Sequence, residues 1–487
     1  MHSGSVEEPK RSLAVVVLAA GLGTRMKSKT PKVLHQICGK PMITWVSEAV
    51  ASVNPGRTLV VLGSGIEAVH QYLPQTAEVV NQAEQLGTGD AVRSCREALD
   101  GFEGSILVMY GDTPLVTGAE LEELLQEHEQ GESACTLMSV ELADPTHYGR
   151  VRRDSQGRVT GIIEHRDAGP EELAIREVNA GVYVFDAGPL WQALSRISDG
   201  NSQGEVYLTD AVGILVAHGE RVRAHKVDDE TVVLGVNSRL DLAAAAAIMG
   251  RRILERHMLA GVTVTDPEST YVDAEVSIGR DTVIEPMTVL SGSTAIGEDC
   301  VIGPSSIVSD TVIDDGVRLV CSQVSSAEIA AGCNVGPFTY IRPGTRLEAG
   351  AKAGAFVEIK NSRIGTGSKV PHLSYIGDAE VGDYTNIGAG NITANYDGIN
   401  KHRTEIGSHV HTGADTVFVA PVTAGDGSMT GAGSVITDDI PGGDLGISRS
   451  RQRNVAGYAR RKLEGRRGGK DEANLAGKTD MGEEERS

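Results

Sequence analysis

The chain of 487 residues has a formal net charge of −21, is 40% hydrophobic and 23% charged, and holds 59 glycines but only 4% aromatic residues. That length allows at least two hydrophobic cores, and the acidity argues against a nonspecific nucleic-acid binder while leaving local basic clusters free to hold phosphates. No stretch approaches the roughly 18 apolar residues of a membrane span, and the opening MHSGSVEEPKR lacks a signal-peptide core, so no membrane association and a cytoplasmic location are the default expectations. Cys38, Cys95, Cys135, Cys300, Cys321 and Cys333 lack CxxC spacing and read as reduced and mostly buried.

Residues 1–11 are a polar lead-in, expected to be flexible. Leu13–Leu18 is a short apolar run followed at once by AAGLGTRM. Strand, glycine loop and helix in that order begin an α/β domain whose ligand lies beyond the strand ends. Further strands are predicted at Arg57–Leu62, Ser105–Tyr110, Ala134–Val140 and Asn179–Phe185, with helices at Met42–Ser52 and Thr88–Leu99.

The alanine-rich segment Arg239–His257, with Leu242, Ile248, Ile253 and Leu254 as its stripe, reads as a connecting helix. A hydrophobic residue then returns every six positions: Val272, Ile278, Ile284, Leu290, Ile296, Ile302 and Val308. Neither a helix nor an ordinary strand has that period, so the pattern reads as a solenoid whose coils need their neighbours. The register drifts near Asp315 and resumes at Ile329, Val335, Ile341, Leu347, Ala353 and Ile359. After Ile387 the polar stretch TANYDGINKHRTE interrupts the pattern until Ile406, either as a tolerated surface loop or as a functional one. Residues 459–487 are charged and glycine-rich and read as a disordered tail.

Gly21 and Gly23 let the backbone turn sharply near a phosphate or base, while Arg25 and Lys32 add positive charge. The loop matches neither GxxxxGK[ST] nor a complete GxGxxG, which disfavours a P-loop ATPase or a Rossmann dehydrogenase. A tight turn with two solvated cations is the alternative. Asp112, directly after SILVMYG, suits a magnesium ligand beside phosphates but equally a turn cap, and Asn237 offers a second oxygen after TVVLGV.

LAAGLGTRM followed by PKVLH resembles the signature of sugar-nucleotide pyrophosphorylases. Joined to the hexapeptide solenoid, and with NQAEQLGTG, YGDTPL, YGR, IIEHRDA, VNAG, GVNSR, FVEIKN, HLSYIGD and NYDG in order, the chain is similar to the bacterial bifunctional N-acetylglucosamine-1-phosphate uridyltransferase/glucosamine-1-phosphate N-acetyltransferase family. The likeness spans about residues 12–458. It implies an α/β chain: an N-terminal Rossmann-like nucleotidyltransferase domain (12–238), a linker helix (239–260) and a C-terminal left-handed parallel β-helix of hexapeptide repeats (261–458).

The resemblance further implies that Arg25 and Lys32 neutralise the UTP triphosphate as catalytic residues, with Leu18 and Gly21 at the nucleotide and Gln82, Gly87 and Thr88 at the uracil. Gly149, Glu164 and Asn179 would position the sugar phosphate, and Asp112 and Asn237 would hold Mg2+. Leu22 and Asp90 depart from the family pattern, Asp90 replacing a common histidine.

In the solenoid, His372 is by itself as well read as a surface hydrogen-bonder, but the resemblance makes it the general base for the glucosamine amine. Arg342 and Lys360 would bind the sugar phosphate, with Tyr375, Asn386 and Lys401 completing the pocket and Glu358 orienting the sugar or the histidine. Asn395, Tyr396, Ala414, Ala432 and Arg449 fall to acetyl-CoA. The family commonly has serine where this chain has Ala414, so a side-chain oxyanion donor is missing there. Such a donor is worth about 2.7–4 kcal/mol when optimally placed, but a backbone N–H can carry the function, and retained acetyl transfer is expected.

The resulting expectation is an enzyme that acetylates glucosamine-1-phosphate with acetyl-CoA and then transfers UMP from UTP, feeding cell-wall precursor synthesis, assembled as a homotrimer. The alternatives are a uridyltransferase whose solenoid only oligomerises it, and a noncatalytic acidic scaffold that binds a sugar nucleotide.

Overall fold

In the computed structural model, residues 12–464 are described, apart from 22, 64–66, 199 and 202. The expectations for residues 1–11, for Leu22 and for most of the tail, 465–487, lie outside the described residues. Residues 458–464 form a helical turn. The chain divides into two compact units, one ending at Gly350 and the other beginning at Ala351.

The first unit opens with a nine-stranded mixed sheet. Its strands are β1 (Leu13–Leu18), β2 (Arg57–Gly63), β3 (Ala77–Gln82), β4 (Ser105–Tyr110), β5 (Cys135–Glu141), β6 (Arg150–Arg153), β7 (Val159–Ile163), β8 (Glu177–Asp186) and β9 (Val222–Lys226). The main order is β9-β5-β8-β4-β1-β2-β3, with β8 antiparallel to both neighbours and β6 and β7 forming a side hairpin. The central strand β1 is apolar throughout because both of its faces are covered. Val16 and Leu18 enter one core, and Val15, Val17 and Ala19 enter the other. The chain leaves β1 to form β2 on one side and returns to form β4 on the other, which opens a crevice at the ends of β1 and β4.

The helix α1 (Met42–Ser52) covers the expected span, whereas α2 is shorter than the sequence suggests, Thr88–Arg93. Beyond it the hydrogen bonds at Cys95 and Arg96 return to the residue three back, and the α geometry tightens into turns. The sequence pattern missed β3, β9, the β6–β7 hairpin and four helices, α3 (Gly118–Gly131), α4 (Thr209–Ala217) and the shorter Pro170–Leu173 and Ala187–Leu194.

The connecting helix α5 (Arg239–Leu259) starts on a capping box made by Ser238 and Asp241. Its buried stripe is Ala245, Met249, Ile253, Leu254 and His257, so Leu242 and Ile248, expected in that stripe, are only half-buried. The helix packs onto the first coil, and the Ala274 N–H donates to the Cys38 carbonyl at 3.0 Å, tying that coil to the mixed-sheet core.

Two- and three-residue parallel strands then wind as a left-handed β-helix with three sheets. Ile284, Leu290, Ile296, Ile302 and Val308 are buried as the period requires, with Ile278 half-buried near the first coil. Two positions before each sits a small buried residue: Thr282, Thr288, Thr294, Cys300 and Ser306. The threonine hydroxyls donate to corner carbonyls, Thr282 to Gly297 at 2.8 Å and Thr294 to Ser291 at 2.7 Å, so the tight corners leave few orphan acceptors. Cys300 and Cys333 occupy this same small-residue slot, and all six cysteines are free.

The register drift near Asp315 leaves the solenoid continuous. Ile313, Leu319 and Val324 fill this stretch as buried strand residues, because the step shortens from six residues to five at Val308–Ile313 and again after Leu319. The second unit repeats the construction from Lys352 onward, with Ile359, Ile364, Val370, Ile376, Val381 and Ile387 inside. No helix among the described residues is long and apolar enough to cross a membrane.

Leu319 is fully buried and Arg318 beside it is exposed. Leu319→Ala is expected to cost about 2–5 kcal/mol in chemical denaturation, while Arg318→Ala stays within about 0.5 kcal/mol.

Candidate functional site

In the first unit, the loop after β1 turns through Gly23 at φ 61°, and a Cβ there would lie 2.7 Å from the Lys32 Cβ. Glycine is therefore needed twice, for the left-handed backbone and for the close approach of Lys32. The Lys32 ammonium contacts the Asp112 carboxylate and donates to Asn237 Oδ1 at 3.1 Å, which also accepts from Arg25 Nη2 at 2.9 Å. A backbone bond from the Val236 N–H to the Asp112 carbonyl, 2.9 Å, brings together two segments far apart in sequence. Asp112 and Asn237 thus share one cation, and their anionic and amide oxygens are the hard ligands that suit a divalent metal beside phosphates.

Two cavities meet at this cluster. One, of about 320 Å³, is lined by Leu18, Gly21, Lys32, Gln82, Gly87 and Thr88. The other, of about 530 Å³, is lined by Arg25, Gly149, Glu164, Asn179 and Asn237. Tyr110 and Asp112 border both. Each cavity therefore holds one of the two groups of residues that the resemblance assigns to different substrates.

The amide of Gln82 donates to the Gly87 carbonyl at 3.2 Å and to Asp90 Oδ2 at 2.9 Å. Asp90, read from sequence only as a departure, orients the residue expected to read uracil. The side-chain N–H of Asn179 donates to the Tyr183 hydroxyl at 2.6 Å, and the Gly149 carbonyl accepts from the Asn179 N–H at 2.9 Å. Glu164 Oε1 accepts from the Thr209 hydroxyl at 3.0 Å, and burial pushes its carboxyl above the ordinary range.

In the second unit, Lys360 Nζ donates to Asp378 Oδ2 at 3.3 Å, and Asn395 Nδ2 donates to the same oxygen at 2.5 Å. Asn361 Nδ2 donates to Asp378 Oδ1 at 2.6 Å. Burial opposes ionisation of Asp378, but donation from Asn361, Asn395 and Lys360 outweighs it and holds the carboxyl below its usual value. Lys360, Asn361 and Asn395 are therefore gathered around a residue to which sequence reasoning gave no role, although HLSYIGD contains it.

His372 ends the strand Lys369–His372 and is exposed. Its carbonyl accepts from the Ser374 hydroxyl at 2.7 Å and from the Gly390 N–H at 3.3 Å, which fixes the backbone that carries the imidazole. Gly377 leaves room for Tyr375, whose hydroxyl would lie 2.4 Å from a Cβ at that position. Asn386 forms bridges with Lys369 and His411 in the neighbouring coils.

The polar insertion is an ordered loop. Asp397 accepts from the backbone of Ile399 and Asn400 and from His402 Nε2 at 2.7 Å, and these partners hold its carboxyl down at about 2. Tyr396 is exposed and donates to the Gly398 carbonyl at 2.6 Å. Ala414 sits on an exposed turn, its carbonyl accepting from the Gly433 N–H at 2.8 Å, and presents only a methyl side chain. Arg449 donates to the Ala432 carbonyl at 2.8 Å, which joins two of the residues assigned to acetyl-CoA. Arg342 lies in the first unit, with its guanidinium 5.8 Å from the centre of the Tyr340 ring.

A mixed sheet with a phosphate-competent crevice at its switch point, followed by a hexapeptide β-helix bearing a second charged cluster, defines a nucleotidyltransferase fused to an acyltransferase-type solenoid. The model of the MobA-like NTP transferase domain matches residues 15–169. The chain is 50% identical to the bifunctional protein GlmU of Mycolicibacterium vanbaalenii, over 93% of this chain and 94% of that protein. It is 49% identical to bifunctional protein GlmU of Mycobacterium tuberculosis, over 93% of each chain. Against the protein of that name from Corynebacterium efficiens it is 48% identical, over 93% of this chain and 95% of the other. The chain belongs to the bifunctional GlmU family, and it is an N-acetylglucosamine-1-phosphate uridyltransferase and glucosamine-1-phosphate N-acetyltransferase.

Because burial penalises the charged form of Glu164, the penalty is present at pH values above its raised folded-state pKa and absent below the ordinary value of 4.5. Glu164→Gln, measured by thermal unfolding, is expected to stabilise the protein at neutral pH, with the gain vanishing as the pH falls below 4.5. The same variant should bind N-acetylglucosamine-1-phosphate less tightly.

Proposed function

We propose that residues 12–238 carry uridyl transfer, that 239–260 link the halves, and that 261–458 form the acetyltransferase domain. The observation that carries this reading is the convergence of Asp112, Asn237, Lys32 and Arg25 at the border of the two cavities. UTP would lie on the side of Gln82, Gly87 and Thr88, and N-acetylglucosamine-1-phosphate on the side of Gly149, Glu164 and Asn179.

A phosphate oxygen of the sugar attacks the α-phosphorus of UTP, the bond bridging the α- and β-phosphorus breaks, and pyrophosphate leaves. Both reactants are anionic, so Arg25 and Lys32 mainly screen repulsion and align them. Asp112 and Asn237 would hold Mg2+, which when bound supplies further neutralisation of the triphosphate. Lys32, already in contact with Asp112, then turns its ammonium to the phosphates.

In the solenoid, the amine of glucosamine-1-phosphate attacks the acetyl-CoA thioester carbonyl while His372 takes the amine proton. The carbon–sulfur bond breaks and the thiolate of coenzyme A leaves, recovering a proton. Lys360, Lys401, Arg342, Tyr375 and Asn386 are assigned to the sugar phosphate, and Glu358 to orienting the sugar or His372. Asn395, Tyr396, Ala414, Ala432 and Arg449 are assigned to acetyl-CoA. With alanine at 414, oxyanion stabilisation falls to backbone N–H groups.

A homotrimer completes the proposal, supported by large apolar side chains exposed at left-handed corners: Met287 and Phe338 in one unit, Phe356 and Leu373 in the other. UTP and acetyl-CoA as cosubstrates support a cytoplasmic location.

Supplied with glucosamine-1-phosphate, acetyl-CoA, UTP and magnesium, the protein is expected to release free coenzyme A, N-acetylglucosamine-1-phosphate and UDP-N-acetylglucosamine. Uridylation of added N-acetylglucosamine-1-phosphate without release of coenzyme A would select a uridyltransferase with a merely oligomerising solenoid. Ala414→Ser is expected to raise acetyl-transfer kcat by less than about tenfold, against the roughly 10²–10³ of an optimally used donor.

A further inference from the structure

Several corner aspartates of the solenoid spend their carboxylates on backbone. Asp315 accepts from the Glu298 N–H at 2.8 Å, Asp383 from Thr366 at 2.8 Å and Asp426 from Ser408 at 2.7 Å. Asp378 stands at a corner too, with φ 50°, between the strands Tyr375–Gly377 and Ala379–Val381. Its carboxylate instead accepts three side-chain donors, from Lys360, Asn361 and Asn395.

Those donors come from different elements. Lys360 ends the strand Glu358–Lys360, Asn361 begins the following corner, and Asn395 opens the ordered loop after Ile392–Ala394. One oxygen, Oδ2, serves both Lys360 and Asn395. The Asp378 side chain is 11% exposed and that of Lys360 19%, so the bond is only partly screened by water.

We infer that Asp378 is a positioning residue for acetyl transfer, which holds the Lys360 ammonium and the Asn395 amide in one register so that the sugar phosphate and the acetyl donor meet a preset site. The inference rests on the assignment of Lys360 to the sugar phosphate and Asn395 to acetyl-CoA. Asp378 supplies the negative charge that keeps Lys360 oriented between turnovers, and it anchors the first residue of the loop to the phosphate-binding coil. Every neighbour donates, so an acceptor-only group is required. Asparagine at 378 tolerates the left-handed backbone as aspartate does, yet turns an N–H toward a donor and loses the charge.

The experiment compares wild type, Asp378→Asn, Asp378→Glu, Lys360→Ala and the Lys360→Ala/Asp378→Asn double variant, with uridylation of N-acetylglucosamine-1-phosphate as the internal control. Asp378→Asn is expected to raise KM for glucosamine-1-phosphate about tenfold or more, the scale of a lost charged hydrogen bond, with uridylation unchanged. Asp378→Glu, which keeps the charge, should recover KM to within about threefold of wild type, and in the Lys360→Ala background Asp378→Asn should change it by less than about threefold. An unaltered KM in Asp378→Asn, a full additive loss in the double variant, or a Glu variant no better than Asn would overturn the inference. Should Asp378→Asn fold poorly and lose uridylation as well, the Glu variant decides alone. A wild type that uridylates but acetylates nothing would instead refute the underlying assignment of the solenoid site, a result distinct from an active wild type matched by its variants.

Discussion

One apolar side chain and one small residue must enter the solenoid on each side of every coil, and most of the C-terminal architecture follows from that. Ile302 with Cys300 and Val308 with Ser306 show the rule, and Thr282 and Thr294 show how the same slots quench corner carbonyls. A coil alone buries too little; stacking supplies the core. Since the inward positions are committed to packing, chemistry is left to strand ends, corners and insertions. His372, Asp378 and the loop at Asn395 lie at those places.

The nucleotidyltransferase half obeys a different constraint. Burying β1 on both faces leaves it no polar side chain, so charge gathers beyond its end, in the glycine loop and at Asp112. The Val236–Asp112 backbone bond then brings in Asn237, and Lys32 holds both oxygens at once. Asp112 and Tyr110 border both cavities, so this cluster is open from two sides.

What could be read from sequence divides along the same lines. Strong periodic or fully apolar segments were legible: β1, β4 and α1 have the expected limits, as does the hexad through Val308. The register drift near Asp315 arises because the step shortens to five residues, which shifts the phase without ending the coil. Strand β3, with only Gln82 fully buried, and the short strands β6 and β7, of four and five residues, carry too weak an alternation to be seen. At the sites, residue types were legible but their meetings were not. Asp90 on Gln82 and Asp378 under Lys360 and Asn395 are contacts made by tertiary closure, and no local pattern announces them.

On the proposed function, one chain holds two chemically separate sites, one at the sheet crevice and one on the solenoid. The direct measurement is both half-reactions in two single variants, Asp112→Ala and His372→Ala. Asp112→Ala is expected to lose uridyl transfer by at least about 10²-fold and keep acetyl transfer, and His372→Ala to lose acetyl transfer by about 10²–10⁴-fold and keep uridyl transfer. Loss of both activities in either variant, with the fold intact, would contradict the two-site reading.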